Sequence, residues 1–234
     1  MLSVTALEKR FGATPVLEDV SFDLSPGELA VLVGRSGAGK TTLLRCLDGL
    51  ERPDAGTIRF DGRPLETTET ALVFQEGALI DGKSALENVL DGALGREPAW
   101  REVLGWHTPE EKRLAIEQLH AVGLGGYADR RVGDLSGGQR QRVGIARALQ
   151  QQPAVLLADE PVASLDPATA DSVLARLSAA VDDHDLVGLV SLHQPGLAAT
   201  VADRYLGVVD GRLVLDAPAA AVDADRIAEV YDDG

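Results

Sequence analysis

Apolar and polar residues alternate at the start of the chain, in Leu2-Ser3-Val4-Thr5-Ala6 and again in Val20-Ser21-Phe22-Asp23-Leu24. That two-residue period belongs to strands with one buried face, and with Val16-Leu17 it predicts antiparallel pairing. Leu29 to Val33 breaks the rhythm with an unbroken apolar run into Gly34. Such a run predicts a strand buried on both faces, here feeding a helix from about Thr41 to Leu50. Thr57 to Phe60 before Asp61-Gly62, and Leu206 to Val209 and Arg212 to Leu215 around Asp210-Gly211, carry hairpin signals.

From about Gly77 to Gln152 the period changes. Pro109 to Val122 and Gln139 to Leu149 repeat at helical spacing, and Pro153 closes the second stretch. Strand and helix then alternate: a strand at Val155 to Ala158, a helix from about Pro167 to Val181, a strand at Leu186 to Leu192 and a helix starting near Pro195. The order predicts an α/β core with a mainly parallel sheet, interrupted by a helical insertion. The core is expected at about 1–76 and 153–234, and the helical part at about 77–152.

Composition narrows the classes. The 234 residues are 45% apolar, enough for a sizeable core, and no apolar stretch approaches a membrane span. Met1 to Phe11 lacks the layout of a signal peptide, so work at a membrane is expected to need a partner. A net charge of −15 argues against broad contact with DNA or RNA, and no nucleic-acid partner is expected. The single cysteine, Cys46, is expected to pack as a small apolar residue.

Three segments carry candidate chemistry. Gly34, Arg35, Ser36, Gly37, Ala38, Gly39, Lys40 and Thr41, with Thr42 after them, have P-loop spacing between a predicted strand and helix. Small residues let the backbone wrap phosphates; Lys40 would reach the β- and γ-phosphates of ATP, and the Thr41 hydroxyl would ligate Mg²⁺. The strand at Val155 to Ala158 ends in Asp159-Glu160, at the edge where parallel sheets place ligands. Asp159 is expected to face Mg²⁺, and Glu160 to polarise the water that attacks the γ-phosphate. The third segment is Leu135-Ser136-Gly137-Gly138-Gln139, a helix start whose N–H groups suit an anion. Two phosphate-seeking helix ends and one obvious nucleotide suggest that the second end, Ser136 to Gln139, serves a nucleotide held mainly by another copy of the chain.

Together these motifs resemble the nucleotide-binding subunit of ATP-binding-cassette transporters along nearly the whole chain. The resemblance implies a P-loop NTPase (RecA-like) core with an antiparallel β subdomain and an inserted α-helical subdomain. It implies that Phe11 stacks on adenine, although tyrosine is commoner there and a phenylalanine can equally belong to a core. Gln75 matches the glutamine that touches Mg²⁺ and the attacking water, and His193 the histidine that contacts γ-phosphate. Ser164-Leu165-Asp166 matches a loop that crosses a dimer interface, while Asp166 before Pro167 can also cap a helix. A head-to-tail dimer enclosing two ATP molecules follows, docked on membrane permease subunits and served indirectly by a substrate-binding protein.

Within that family, the chain is expected to lack a C-terminal regulatory domain, a fused membrane domain, a second cassette and a coiled-coil insertion. Glu87 to Arg96, followed by Trp100 and Leu104-Gly105-Trp106, resembles the helical lobe of phosphonate-type importers, whose cargo includes phosphonate, phosphite or phosphate. The tryptophans either pack that lobe or touch a permease helix. The expected function is the peripheral ATPase of such an importer at the cytoplasmic face of the membrane. Lipoprotein extrusion, amino-acid uptake and a soluble switch protein are the alternatives.

Overall fold

The computed structural model describes residues 1–74, 79–94 and 107–232. Two sheets and seven α-helices make up the described chain. β1 (Leu2–Phe11), β2 (Thr14–Leu24), β4 (Ala55–Phe60) and β5 (Arg63–Pro64) form an antiparallel sheet in the order β2-β1-β4-β5. β3 (Leu29–Val33), β6 (Thr70–Val73), β7 (Val155–Asp159), β8 (Val187–Ser191), β9 (Arg204–Val209) and β10 (Arg212–Pro218) form the second, in the order β10-β9-β3-β8-β7-β6. Every pairing there is parallel except β9 with β10.

Side-chain alternation assigns each face of the parallel sheet its own core. On β3, Ala30 and Leu32 pack with the antiparallel sheet and α1 (Lys40–Leu47), whereas Leu29, Val31 and Val33 join the core on the other face. β7 splits the same way, with Val155 and Leu157 on one side and Leu156 and Ala158 on the other. The second core is built from α2 (Ala85–Leu90), α3 (Pro109–Ala121), α4 (Gly137–Gln150), α5 (Pro167–Asp183), α6 (Pro195–Val201) and α7 (Ala224–Asp232). Burying residues such as Leu156 and Leu174 on these faces contributes roughly 1.5–3 kcal/mol each.

Helix starts follow their caps. Ser84, Thr108 and Ser136 each close a capping box, with Glu87, Glu111 and Gln139, and Asp166 caps α5 ahead of Pro167. Both hairpins fall where expected, with positive φ at Asp61-Gly62 and Asp210-Gly211. α1 stops at Leu47, short of the expected Leu50, because Gly49 turns left-handed at φ 77°. Val16-Leu17 and Val20 to Leu24 lie on one strand: Asp19 at φ 54° and Ala6 at φ 47° accompany register shifts that interrupt its alternation. Among the described residues, no helix is long and apolar enough to cross a membrane.

Candidate functional site

The phosphate loop lies between β3 and α1, and two glycines fix its shape. A Cβ on Gly34, at φ 145°, would sit 2.2 Å from the Val208 carbonyl oxygen, and one on Gly39, at φ 107°, 2.8 Å from that of Val16. The loop therefore presses its backbone against β9 and β2. Arg35, Ser36 and Gly37 remain exposed, while Ala38, Gly39 and Lys40 are buried. Lys40 Nζ donates to the carbonyls of Gly34 at 2.6 Å and Arg35 at 2.9 Å. Burial pulls its pKa below the ordinary lysine value, and the charges of Glu160 and Asp159 pull the other way.

Parallel register brings the remaining polar groups to the same sheet edge. Asp159 and Ser191 are paired across β7 and β8. Asp159 Oδ1 accepts from Thr41 Oγ1 at 3.2 Å and from Ser191 Oγ at 2.8 Å. The Ser191 hydroxyl in turn accepts from the Glu160 N–H at 2.9 Å. Glu160 has left the strand in the left-handed region, at φ 49°, so its side chain diverges from that of Asp159. His193 Nε2 lies 2.5 Å from Glu160 Oε1. With Glu160 ionised, that nitrogen must carry the proton. Thr41 and Asp159 supply hard oxygen atoms, and no cluster of three metal-ligating His, Cys, Asp or Glu residues occurs among the described residues. That donor set fits Mg²⁺, which takes few protein ligands and completes its shell with water and phosphate.

Phe11 stands apart at the end of β1. It is 48% exposed, with the Lys9 ammonium over its ring at 5.0 Å from the centroid. β2 ties this edge to the loop through Glu18 N–H to Gly211 O, and Gly211 N–H to Ala38 O. Ser136 and Gln139 are farther removed in connectivity. Ser136 Oγ accepts from Gln139 N–H at 3.3 Å, and Gln139 Oε1 from Ser136 N–H at 3.0 Å. Gly137 is exposed beside Leu165, and Gly138 packs so closely on Thr169 that a Cβ would meet its methyl at 2.2 Å. Asp166 Oδ1 accepts from Thr169 N–H at 3.1 Å, and the bonds made by Thr169 hold its carboxyl below the usual range. Among the described residues no hydrogen bond or ion pair joins Ser136–Gln139 to the phosphate loop. Gln75, Trp100 and Trp106 lie outside the described residues.

Residues 17–163 match the ABC transporter family. A phosphonates import ATP-binding protein from Natronomonas pharaonis is 72% identical over 100% of both chains. The chain belongs to the ABC transporter family. A hypophosphite import ATP-binding protein from Stutzerimonas stutzeri is 43% identical, covering 98% of this chain and 70% of that protein. Among solved structures, a dimeric ATP-binding cassette in a post-hydrolysis state, bound to ADP and Pi, superposes with a TM-score of 0.79 at 27% identity, over 94% of this chain and 99% of that one.

Two polar groups of this ABC chain escaped the sequence reading. Ser191 joins Asp159 to the Glu160 backbone; its signal was a lone hydroxyl ending an apolar strand, legible only once β7 and β8 are known to be neighbours. Gln141, buried on α4, donates to the Phe74 carbonyl at 3.3 Å and so links the helical region to the end of β6, next to Gln75. In the sequence it is one of several glutamines on one helix.

Proposed function

We propose that the chain is the ATP-hydrolysing subunit of an importer for phosphonate or a related phosphorus oxyanion. The observation that carries this reading is the 72% full-length identity to a phosphonates import ATP-binding protein. The hypophosphite relative widens the class to phosphorus oxyanions and supports neither lipoprotein extrusion nor amino-acid uptake. In this reading the chain comprises a core at about 1–76 and 153–234 and a helical lobe at about 77–152. It works at the cytoplasmic face of the membrane, docked on permease subunits near Gln75.

Gly34 to Thr42 wrap the triphosphate with backbone N–H groups, and Lys40 exchanges its loop carbonyls for β- and γ-phosphate oxygens. Phe11 offers adenine the ring face turned away from Lys9. Thr41 and Asp159, with Gln75, would hold Mg²⁺, which would neutralise phosphate charge when bound. Glu160 accepts a proton from water as the water oxygen bonds to the γ-phosphorus; the bond from that phosphorus to the β–γ bridging oxygen breaks, leaving ADP and phosphate. His193 Nε2–H, which lies against Glu160 Oε1, would transfer its hydrogen bond to a γ-phosphate oxygen as charge gathers there. Ser136 to Gln139 of a second copy, with Asp166 at the interface, close the other side, so hydrolysis and dimer opening are coupled.

The test is to purify the chain with its copurifying permease and binding protein and to assay ATPase activity with phosphonate, phosphite, hypophosphite and phosphate. Stimulation by one of these supports the reading and ranks the cargo. A permease indifferent to all four overturns the substrate assignment.

A further inference from the structure

The C-terminal helix has no part in the scheme above, yet it reaches the catalytic edge. Ile227, Val230 and Tyr231 fall at helical spacing, and the first two are buried. Val230 packs beside Gly207 on β9 and, with Arg35, Ser36, Gly37 and Val208, lines a cavity of about 240 Å³ behind the phosphate loop. Tyr231 is half-buried. Its hydroxyl donates to the Leu192 carbonyl at 3.2 Å. Leu192 is thus held at both ends, since its own N–H donates to Leu32 O at 3.2 Å. The Leu192 carbonyl shares a rigid peptide plane with the His193 nitrogen, so fixing that oxygen fixes the direction in which His193 leaves the sheet. A phenylalanine would fill the same space without needing a partner; the hydroxyl adds only the bond to Leu192.

Resting on the ATPase reading above, we propose that Tyr231 is a positioning residue for hydrolysis, through which α7 locks the Leu192–His193 peptide and keeps His193 aimed at Glu160 and the γ-phosphate. The phenol determines how the peptide lies. Turnover therefore depends on a helix that touches neither nucleotide nor water.

The experiment is a double-mutant cycle on the full chain, combining Tyr231→Phe with His193→Ala and reading kcat, KM for ATP and thermal midpoint. Tyr231→Phe keeps the ring and the packing of α7. It is expected to lower kcat about three- to tenfold, the range for one neutral hydrogen bond, with KM changed less than about twofold. In the His193→Ala background the same change is expected to cost nothing further, because the group it positions is gone. Equal kcat for Tyr231→Phe and the parent overturns the proposal. So does a loss that persists undiminished beside His193→Ala, which would mark a general loosening of the fold. ATP turnover by the parent chain and its collapse in His193→Ala test the ATPase reading separately, so the two failures are distinguishable.

Discussion

The two phosphate-seeking helix starts differ in what surrounds them. At the start of α1, four contacts wire together three segments distant in sequence: Thr41 to Asp159, Asp159 to Ser191, Ser191 to the Glu160 backbone, and Glu160 to His193. At the start of α4, Ser136 and Gln139 satisfy each other, and Gly137 and Gly138 lean on Leu165 and Thr169. The first has acids, a base and a lysine; the second has backbone donors and a dipole. Charge that must be balanced is preassembled within one chain, whereas a neutral donor surface can be supplied by another at little desolvation cost. In the proposed dimer, neither end is a complete site.

Glu160→Gln attacks the first end where the effect is largest. Turnover is expected to fall by roughly 10²–10⁴ while ATP binding persists, and an ATP-bound dimer should accumulate in size-exclusion chromatography. Normal turnover would remove Glu160 from the role. Ser136→Arg attacks the second end: turnover is expected to drop on the order of 10²-fold through loss of dimerisation, with ATP affinity of the monomer unchanged. Losing the cap should also cost about 1 kcal/mol, a midpoint shift of about 2–4 °C, and dimerisation at the parent's level would contradict the assignment. Lys40→Ala should weaken ATP binding about ten- to a hundredfold by equilibrium titration, as one charged hydrogen-bond donor is lost.

The smallest effect sharpens the contrast by leaving both ends alone. Burial holds the Asp48 carboxyl above its usual range, only partly offset by the Thr70 hydroxyl at 2.9 Å. Between the ordinary and the raised value the folded chain holds a proton that the unfolded chain releases, so stability falls as pH rises through that window. Asp48→Asn is expected to raise the thermal midpoint at neutral pH, to leave it unchanged below the ordinary carboxylate range, and to leave turnover intact.

Strands and hairpins were legible because alternation and Asp-Gly pairs are local signals. The single long β2 was not, because Asp19 breaks its period at a bulge. The phosphate loop could be read in full from spacing, and so could Asp159-Glu160 at a strand end. What spacing could not give is adjacency: Thr41 meets Asp159 across 118 positions, and Ser191 enters the site only through the β7–β8 register. α7 escaped notice altogether, although Ile227, Val230 and Tyr231 repeat at helical spacing, because a short segment between acidic residues carries a weak pattern.

The central claim, that each site is shared between two chains, is tested most directly by mixing. Lys40→Ala disables both sites of its own homodimer, and Ser136→Arg carries a lesion at both sites of the homodimer it fails to close. In a mixed head-to-tail dimer both lesions fall in one site, and the other combines an intact Gly34 to Thr42 with an intact Ser136 to Gln139. ATPase activity of the mixture well above the sum of the separate variants is the predicted result; activity no greater than that sum would contradict the shared site.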